Sequence, residues 1–194
     1  FKWIQDIAKS GCTAVGHSHA ESRNVFTAGR AGFIFEGPWG RGLVENMSGG
    51  RLKVAPNGDV WVAEMPKAPN GTRRTIGNPH EITMSSKSKN KKLTAKLLEM
   101  LIFDERFTSL YYEINGQLPT GSLPLLKKGS VGSDTYSQVF VNSLKYTHDN
   151  PWQDPKFYAV MGALAPEMQQ IVGGADIPKH LEKADKAIKR LLSR

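Results

Sequence analysis

Cysteine occurs once, at Cys12, so no disulfide can close within the chain, and a lone thiol says nothing of redox compartment. Long apolar runs are missing too: none approaches the roughly 20 residues that a helix needs to cross a bilayer. No segment repeats and no stretch is of low complexity, which excludes solenoid and array architectures. The chain opens Phe1-Lys2-Trp3-Ile4 without an initiator methionine. It is therefore expected to begin inside a longer protein, and the absent leader is mute about location. Acidic residues are outnumbered, 18 Asp and Glu against 26 Lys and Arg, for a net charge of +8.

A basic balance raises nucleic acid or an acidic surface as partner. Much of that charge lies in Lys87, Lys89, Lys91, Lys92 and Lys96, and again from Lys179 to Arg194. Both runs read as helix starts or solvated helix faces, without the interleaved aromatics of a single-strand binder, so no nucleic-acid partner is expected. What is present is an ordinary globular mixture, 39% hydrophobic and 23% charged in 194 residues, enough for one large or two small domains.

The stretch that organises the chain is Phe26–Gly42, FTAGRAGFIFEGPWGRG. Gly32-Phe33-Ile34-Phe35 has the length and aromatic content of a short buried strand. Gly37-Pro38 then stops it, because proline cannot donate to a ladder and glycine lets the chain turn sharply. Such a strand would deliver a carboxylate, Glu36, and an aromatic face, Trp39, to one end. That pair suits a sugar: the C–H face of the ring stacks on the indole, and hydroxyls donate to the carboxylate. The alternative is plain packing, with Trp39 plugging a core and Glu36 a solvated turn residue.

Around it, Phe1, Ile4, Ile7 and Ala8 predict an amphipathic helix ending near Gly11, and Ala20–Ala28 a second one with Val25 and Phe26 inward. His17 and His19 fall in a loop and do not complete a tetrahedral metal set. Arg41–Gly58 reads as loop, with Gly49-Gly50 and an Asn57-Gly58 turn. Val60–Met65 reads as a strand, and Thr75–Met84 as extended, with Asn78, His80 and Glu81 facing either a ligand or solvent. Helices are expected from Lys91 to Phe103, Asp104 to Ile114, Asp134 to Tyr146, Glu167 to Val172 and Ile177 to Leu192. Tyr111-Tyr112 looks like the tyrosine pair of some ferric-ion binders, but helix neighbours point ~100° apart, which favours one packed and one exposed ring.

The run FTAGRAGFIFEGPWG resembles the signature of family 1 extracellular solute-binding proteins, the maltose-binding-protein-like group. Met65-Pro66-Lys67-Ala68-Pro69, the extended Ile76–Met84, the Ser86–Lys91 helix start and the Gly116-Gln117-Leu118-Pro119-Thr120 turn follow in that family's order. The resemblance spans essentially the whole chain. It implies an α/β fold of the type II periplasmic-binding-protein kind, C-terminal half, helix-rich with a few short strands. Residues 1–70 would be part of lobe two, 71–122 a returning part of lobe one, and 123–194 the C-terminal helices of lobe two.

It also implies a non-enzyme without cofactor or metal. Such a protein captures a carbohydrate outside the cytoplasm, in the periplasm or at the cell surface, for the membrane subunits of an ATP-driven importer. Trp39 falls on the family's sugar-stacking tryptophan, and Phe157 where a second stacking aromatic occurs, with tryptophan in the maltose-binding protein. Glu36, Gly37, Asn78, His80 and Trp152 are placed near the ligand by neighbourhood. The basic composition leans towards an acidic sugar or a phosphorylated polyol. Family members are about twice as long, so apolar faces such as Leu97/Leu101 are expected to lie uncovered and to drive self-association or strand exchange. Two other readings are a glycoside hydrolase using Glu36 and a second carboxylate such as Asp154, and a basic module that binds polyanions.

Overall fold

The computed structural model describes residues 1–13, 15–77, 80–119, 125–148 and 155–193. In chain order the helices are α1 (Lys2–Lys9), α2 (His19–Thr27), α3 (Gly40–Met47), α4 (Lys91–Phe103), α5 (Glu105–Asn115), α6 (Gly129–Ser133), α7 (Thr135–Ser143), α8 (Phe157–Val172) and α9 (Ile177–Leu192). The strands are β1 (Thr75–Ile76) and β2 (Thr147–His148), paired in parallel with Thr75 opposite Thr147 and Ile76 opposite His148. The chain forms two compact units, one from Phe1–Val25 with Pro151–Arg194, the other from Phe26–Asn150.

The first unit is built on the α8–α9 pair, with α1 laid against α8. Val160 and Ile171 of α8 are fully buried, and Ala184 of α9 nearly so. Asp176 starts α9 by accepting a hydrogen bond from the Lys179 N–H, with a proline in the first turn where its missing donor costs nothing. Glu167 is buried between the two helices, 2.6 Å from Lys183 Nζ and 2.7 Å from His180 Nδ1. The Lys183 hydrogen bond and then that of His180 hold its carboxyl below the usual range. At the far end Lys156 donates to the carbonyls of Leu191 and Leu192, which have no partner within their own helix.

On α1 the buried residue is Gln5, not the apolar positions expected to point inward. Its single Nε2 donates to Ile171 O at 2.9 Å and Ala175 O at 2.8 Å, satisfying carbonyls at the end of α8. Phe1 and Ile4 stay exposed.

The second unit has its core around Val44, Val54 and Tyr136, with Phe26, Leu43, Leu52, Val60, Val62 and Phe140 packed against them. Trp61 meets Tyr136 edge-on at 6.0 Å. Three sequence expectations fail here. Gly32–Phe35 forms no strand: Phe33 is 96% exposed, and the run joins no ladder among the described residues. Val60–Met65 likewise makes only an isolated bridge, Val54 to Val60, across a turn centred on Pro56-Asn57 in which the Gly58 N–H donates to Ala55 O. The run at 41–58 is also not all loop, since α3 occupies its first part and buries Val44.

Candidate functional site

Glu36-Gly37-Pro38-Trp39 is a tight turn into α3. The Gly40 N–H donates to Gly37 O at 2.9 Å, with Pro38 at the position where its fixed φ suits such a turn. Trp39 is the residue that opens α3, and its carbonyl accepts from the Leu43 N–H. The indole folds back over Gly37: a methyl group there would lie 2.2 Å from Cη2 and 2.3 Å from Cζ3 of Trp39. Any side chain at Gly37 therefore displaces the ring, which explains the glycine by contact and not by backbone angle.

The turn is held from two further sides. Gly40 is buried, and a methyl group on it would meet Glu36 Cγ at 2.8 Å. Gly116, in the left-handed conformation (φ 67°) that ends α5, packs on the backbone of Trp39, where an added Cβ would stand 3.1 Å from its Cα. Gly116, at the end of α5, and the Pro38-Trp39 backbone thus lie against each other, although far apart in sequence.

Below the turn lies a polar knot that ties α3, α5 and α7. Asp134 caps α7 by accepting from the Ser137 N–H at 3.1 Å and from Ser137 Oγ at 2.6 Å. The Tyr112 hydroxyl donates to the same carboxylate at 2.5 Å, and Arg41 forms an ion pair with it. Burial would push this carboxyl up, but hydrogen bonds from Ser137, Tyr112 and Arg41 outweigh it and hold it at about 2. The Arg41 guanidinium also lies 4.4 Å over the Tyr136 ring. Burial pushes the Tyr136 phenol up to about 12, so it stays protonated. The sequence reading took Tyr112 only as one of an adjacent tyrosine pair and Asp134 only as the start of a helix, and gave Arg41 no role; the Asp-x-x-Ser spacing at Asp134 and Ser137 is the signal that marks the cap.

The candidate residues do not all converge. Glu36, Gly37 and Trp39 come together, each half-buried, and Glu36 accepts from the Gly37 N–H at 3.1 Å. His80 is exposed, with Nδ1 2.6 Å from the Tyr111 hydroxyl. Tyr111 and Tyr112 point to different partners, and no cluster of metal-binding side chains occurs among the described residues. Phe157 opens α8 in the first unit, half-buried, with its ring 5.4 Å from that of the exposed Tyr158. Asn78 and Trp152 lie outside the described residues, as does Asp154. An open depression at the start of α4 is lined by Lys89, Asn90, Lys91, Lys92, Leu93 and Lys96; its charged side chains are all cationic, and Asn90 is the one side-chain acceptor for sugar hydroxyls in that lining.

No family model matches the sequence. Two proteins of Brucella abortus and one of Brucella suis, all described as binding proteins, are 27% identical over 121 residues, 61% of this chain and 28% of theirs. The maltose-maltodextrin binding protein of Alicyclobacillus acidocaldarius superposes with a TM-score of 0.72 at 20% identity, over 97% of this chain and 48% of that one. The chain thus spans about half the length of that protein, and its match covers under a third of the Brucella ones. No helix among the described residues is long and apolar enough to cross a membrane. In fold, the chain is similar over nearly its whole length to the maltose-binding-protein-like solute-binding proteins, of periplasmic-binding-protein type II, helix-rich with short strands.

Proposed function

We propose that the chain is the Trp39-bearing portion of a solute-binding protein that captures a carbohydrate outside the cytoplasm and passes it to an ATP-driven importer. The observation that carries this reading is the seat of Trp39. Its indole folds over Gly37, its backbone packs against Gly116, and the Glu36 carboxylate accepts from the Gly37 N–H in the same turn. A ring held in this way loses little freedom on binding, so stacking against the C–H face of a sugar is not offset by ordering the side chain. Glu36 supplies acceptor oxygens for hydroxyls, and charge-assisted hydrogen bonds of that kind fix orientation. The fold match to a maltose-maltodextrin binding protein supports the class of ligand.

No catalytic step is assigned to these residues: the chemistry needed is recognition, with closure of two lobes reporting occupancy to the importer. His80 and Phe157 are proposed as further contacts, the first a donor or acceptor for hydroxyls, the second a stacking face. A thermal-shift screen against mono- and oligosaccharides, polyols and glycerol phosphates tests the reading. Stabilisation by one class that disappears in Trp39→Ala is the expected result. Stabilisation that survives unchanged in Trp39→Ala removes that residue from the site.

A further inference from the structure

Trp39, Gly40 and Arg41 follow one another where α3 begins, and each is held from α5 or α7. Trp39 meets Gly116 at the end of α5, where an added Cβ would stand 3.1 Å from its Cα and 3.5 Å from Pro38 O. Gly40 is buried against Tyr136 of α7, whose hydroxyl would lie 3.1 Å from a Cβ placed on it. Arg41 forms its ion pair with Asp134 and lies 4.4 Å over the Tyr136 ring. Three consecutive residues are thus fixed from outside their own helix, and the first of them bears the indole.

The two helices that hold them are joined at Asp134. Its Oδ2 takes the Arg41 guanidinium, the Tyr112 hydroxyl at 2.5 Å, and the N–H and Oγ of Ser137 at 3.1 and 2.6 Å. Tyr112 stands about one helical turn before Gly116, and the Gly116 N–H donates to the Tyr112 carbonyl at 2.7 Å. The last turn of α5 is therefore pinned twice, by the Tyr112 side chain on Asp134 and by the Gly116 backbone on Trp39.

Capping of α7 does not account for this arrangement. A cap needs only the bond from the Ser137 N–H. The Arg41 and Tyr112 contacts add nothing to that cap; they fix α3 and α5. An ionised carboxylate can hold several donors at once, and its charge-assisted bonds are about twice as strong as neutral ones. Ser137 is 1% exposed and the Asp134 side chain 19%, so little water competes for those donors.

We propose that Asp134 is a positioning residue for the Trp39 face: holding Arg41 and Tyr112 on one carboxylate oxygen, it clamps the first turn of α3 to the last turn of α5 and sets the angle at which the indole meets a ligand. Supporting contacts of this kind keep a binding side chain within about 0.5 Å and 10–20° of its working geometry. The purpose of the clamp rests on the sugar-binding reading of Trp39, whereas its geometry is tested without a ligand.

Fluorine NMR of the chain labelled with 5-fluorotryptophan makes that test. Trp3, Trp39, Trp61 and Trp152 each give a resonance, assigned by replacing them one at a time with phenylalanine. Asp134→Asn keeps the shape of the side chain and removes its charge, and Tyr112→Phe removes a single hydroxyl. Gln138→Leu is the control: Gln138 donates from α7 to Leu126 O and Val131 O at 3.0 and 2.9 Å, so its loss weakens the same unit and leaves the clamp bonds in place. Far-UV circular dichroism verifies folding, and if Asp134→Asn loses helix content, Tyr112→Phe decides alone. The Trp39 resonance is expected to shift or broaden in Asp134→Asn and Tyr112→Phe and to stay in place in Gln138→Leu, with Trp3, on α1 of the first unit, unmoved throughout. A Trp39 resonance at its wild-type position in the folded clamp variants, or one that moves equally in Gln138→Leu, overturns the proposal.

Maltotriose titrated into the same samples separates the clamp from the sugar-binding reading. If it moves the wild-type Trp39 resonance, its affinity should be about fivefold or more weaker in the clamp variants, and equal affinity overturns the positioning role. If it moves no resonance, the sugar-binding reading fails for that ligand, and the clamp is still decided by the resonances of the free chain.

Discussion

The Cα of Gly37 faces the six-membered ring of Trp39 so closely that a methyl group there would stand 2.2 Å from Cη2. A glycine two residues before the tryptophan therefore sets where the indole lies, and the proposed binding face depends on a side chain that is not there.

Gly37→Ala is expected to swing the indole off its seat. The unfolding free energy should fall by about 1–3 kcal/mol, the usual cost of forcing a side chain into filled space. The near-ultraviolet circular dichroism should change while the helix content stays. Gly32→Ala is the control, because nothing lies within 4 Å of a Cβ there. Equal effects of the two substitutions would mean that the Gly37 contact is unimportant.

Asp134 is expected to matter both as a helix cap and as the shared acceptor of Tyr112 and Arg41. Asp134→Ala should destabilise the chain by about 2 kcal/mol in urea titration, from the lost cap and the partners left unpaired. Its carboxyl is at about 2 in the folded chain against 3.8 ordinarily, so the unfolded state binds more protons between those values. The stabilisation is whole above about pH 5 and lost as pH falls through 3.8 towards 2. Allowing for its partial exposure, the loss is about 1 kcal/mol. Asp134→Asn should flatten that part of the pH profile, and an unaltered profile would assign the acid sensitivity to other carboxylates.

Gln5→Leu should remove the side-chain donor from the carbonyls of Ile171 and Ala175, of which Ile171 O keeps the Gly174 N–H. Losing these two hydrogen bonds, one of them part-buried and the other to a carbonyl that keeps a second donor, costs about 1–2 kcal/mol together, although the new side chain is more apolar. Hydrogen exchange gives the site-specific check: amides near the end of α8 should exchange faster, with those of α4 unaffected. Uniform protection across α8 would show that α1 does not hold that end.

Much of this architecture is legible in the sequence. The 3.6-residue apolar period and the Asn90, Asp104 and Asp176 boundaries mark α4, α5 and α9 almost to the residue. The Gly37-Pro38 turn and the closeness of Glu36 to Trp39 follow from local turn chemistry, which needs no tertiary context. The strands are not legible in the same way. Phe33-Ile34-Phe35 has the composition of a buried strand, but composition cannot supply a pairing partner, and here the run forms no strand and leaves Phe33 in the open.

Helix α3 was hidden because Gly40, Gly42 and the Gly49-Gly50 pair read as loop, although Leu43, Val44 and Met47 carry a helical spacing. Gln5 was missed because a polar residue in an apolar stripe is ordinarily solvated, and only the end of α8 gives it partners. The Gly116 contact with Trp39 is a long-range one, invisible to any reading of local pattern.

The most direct test of the central claim is saturation-transfer difference NMR on the chain and on Trp39→Ala, using a panel of oligosaccharides and phosphorylated polyols at millimolar concentration. The seated indole predicts transfer to the ring protons of at least one sugar, with affinity at least tenfold weaker in Trp39→Ala, because an aromatic anchor carries much of such a site's energy. No transfer from any member of the panel, or equal transfer in the two proteins, would contradict it.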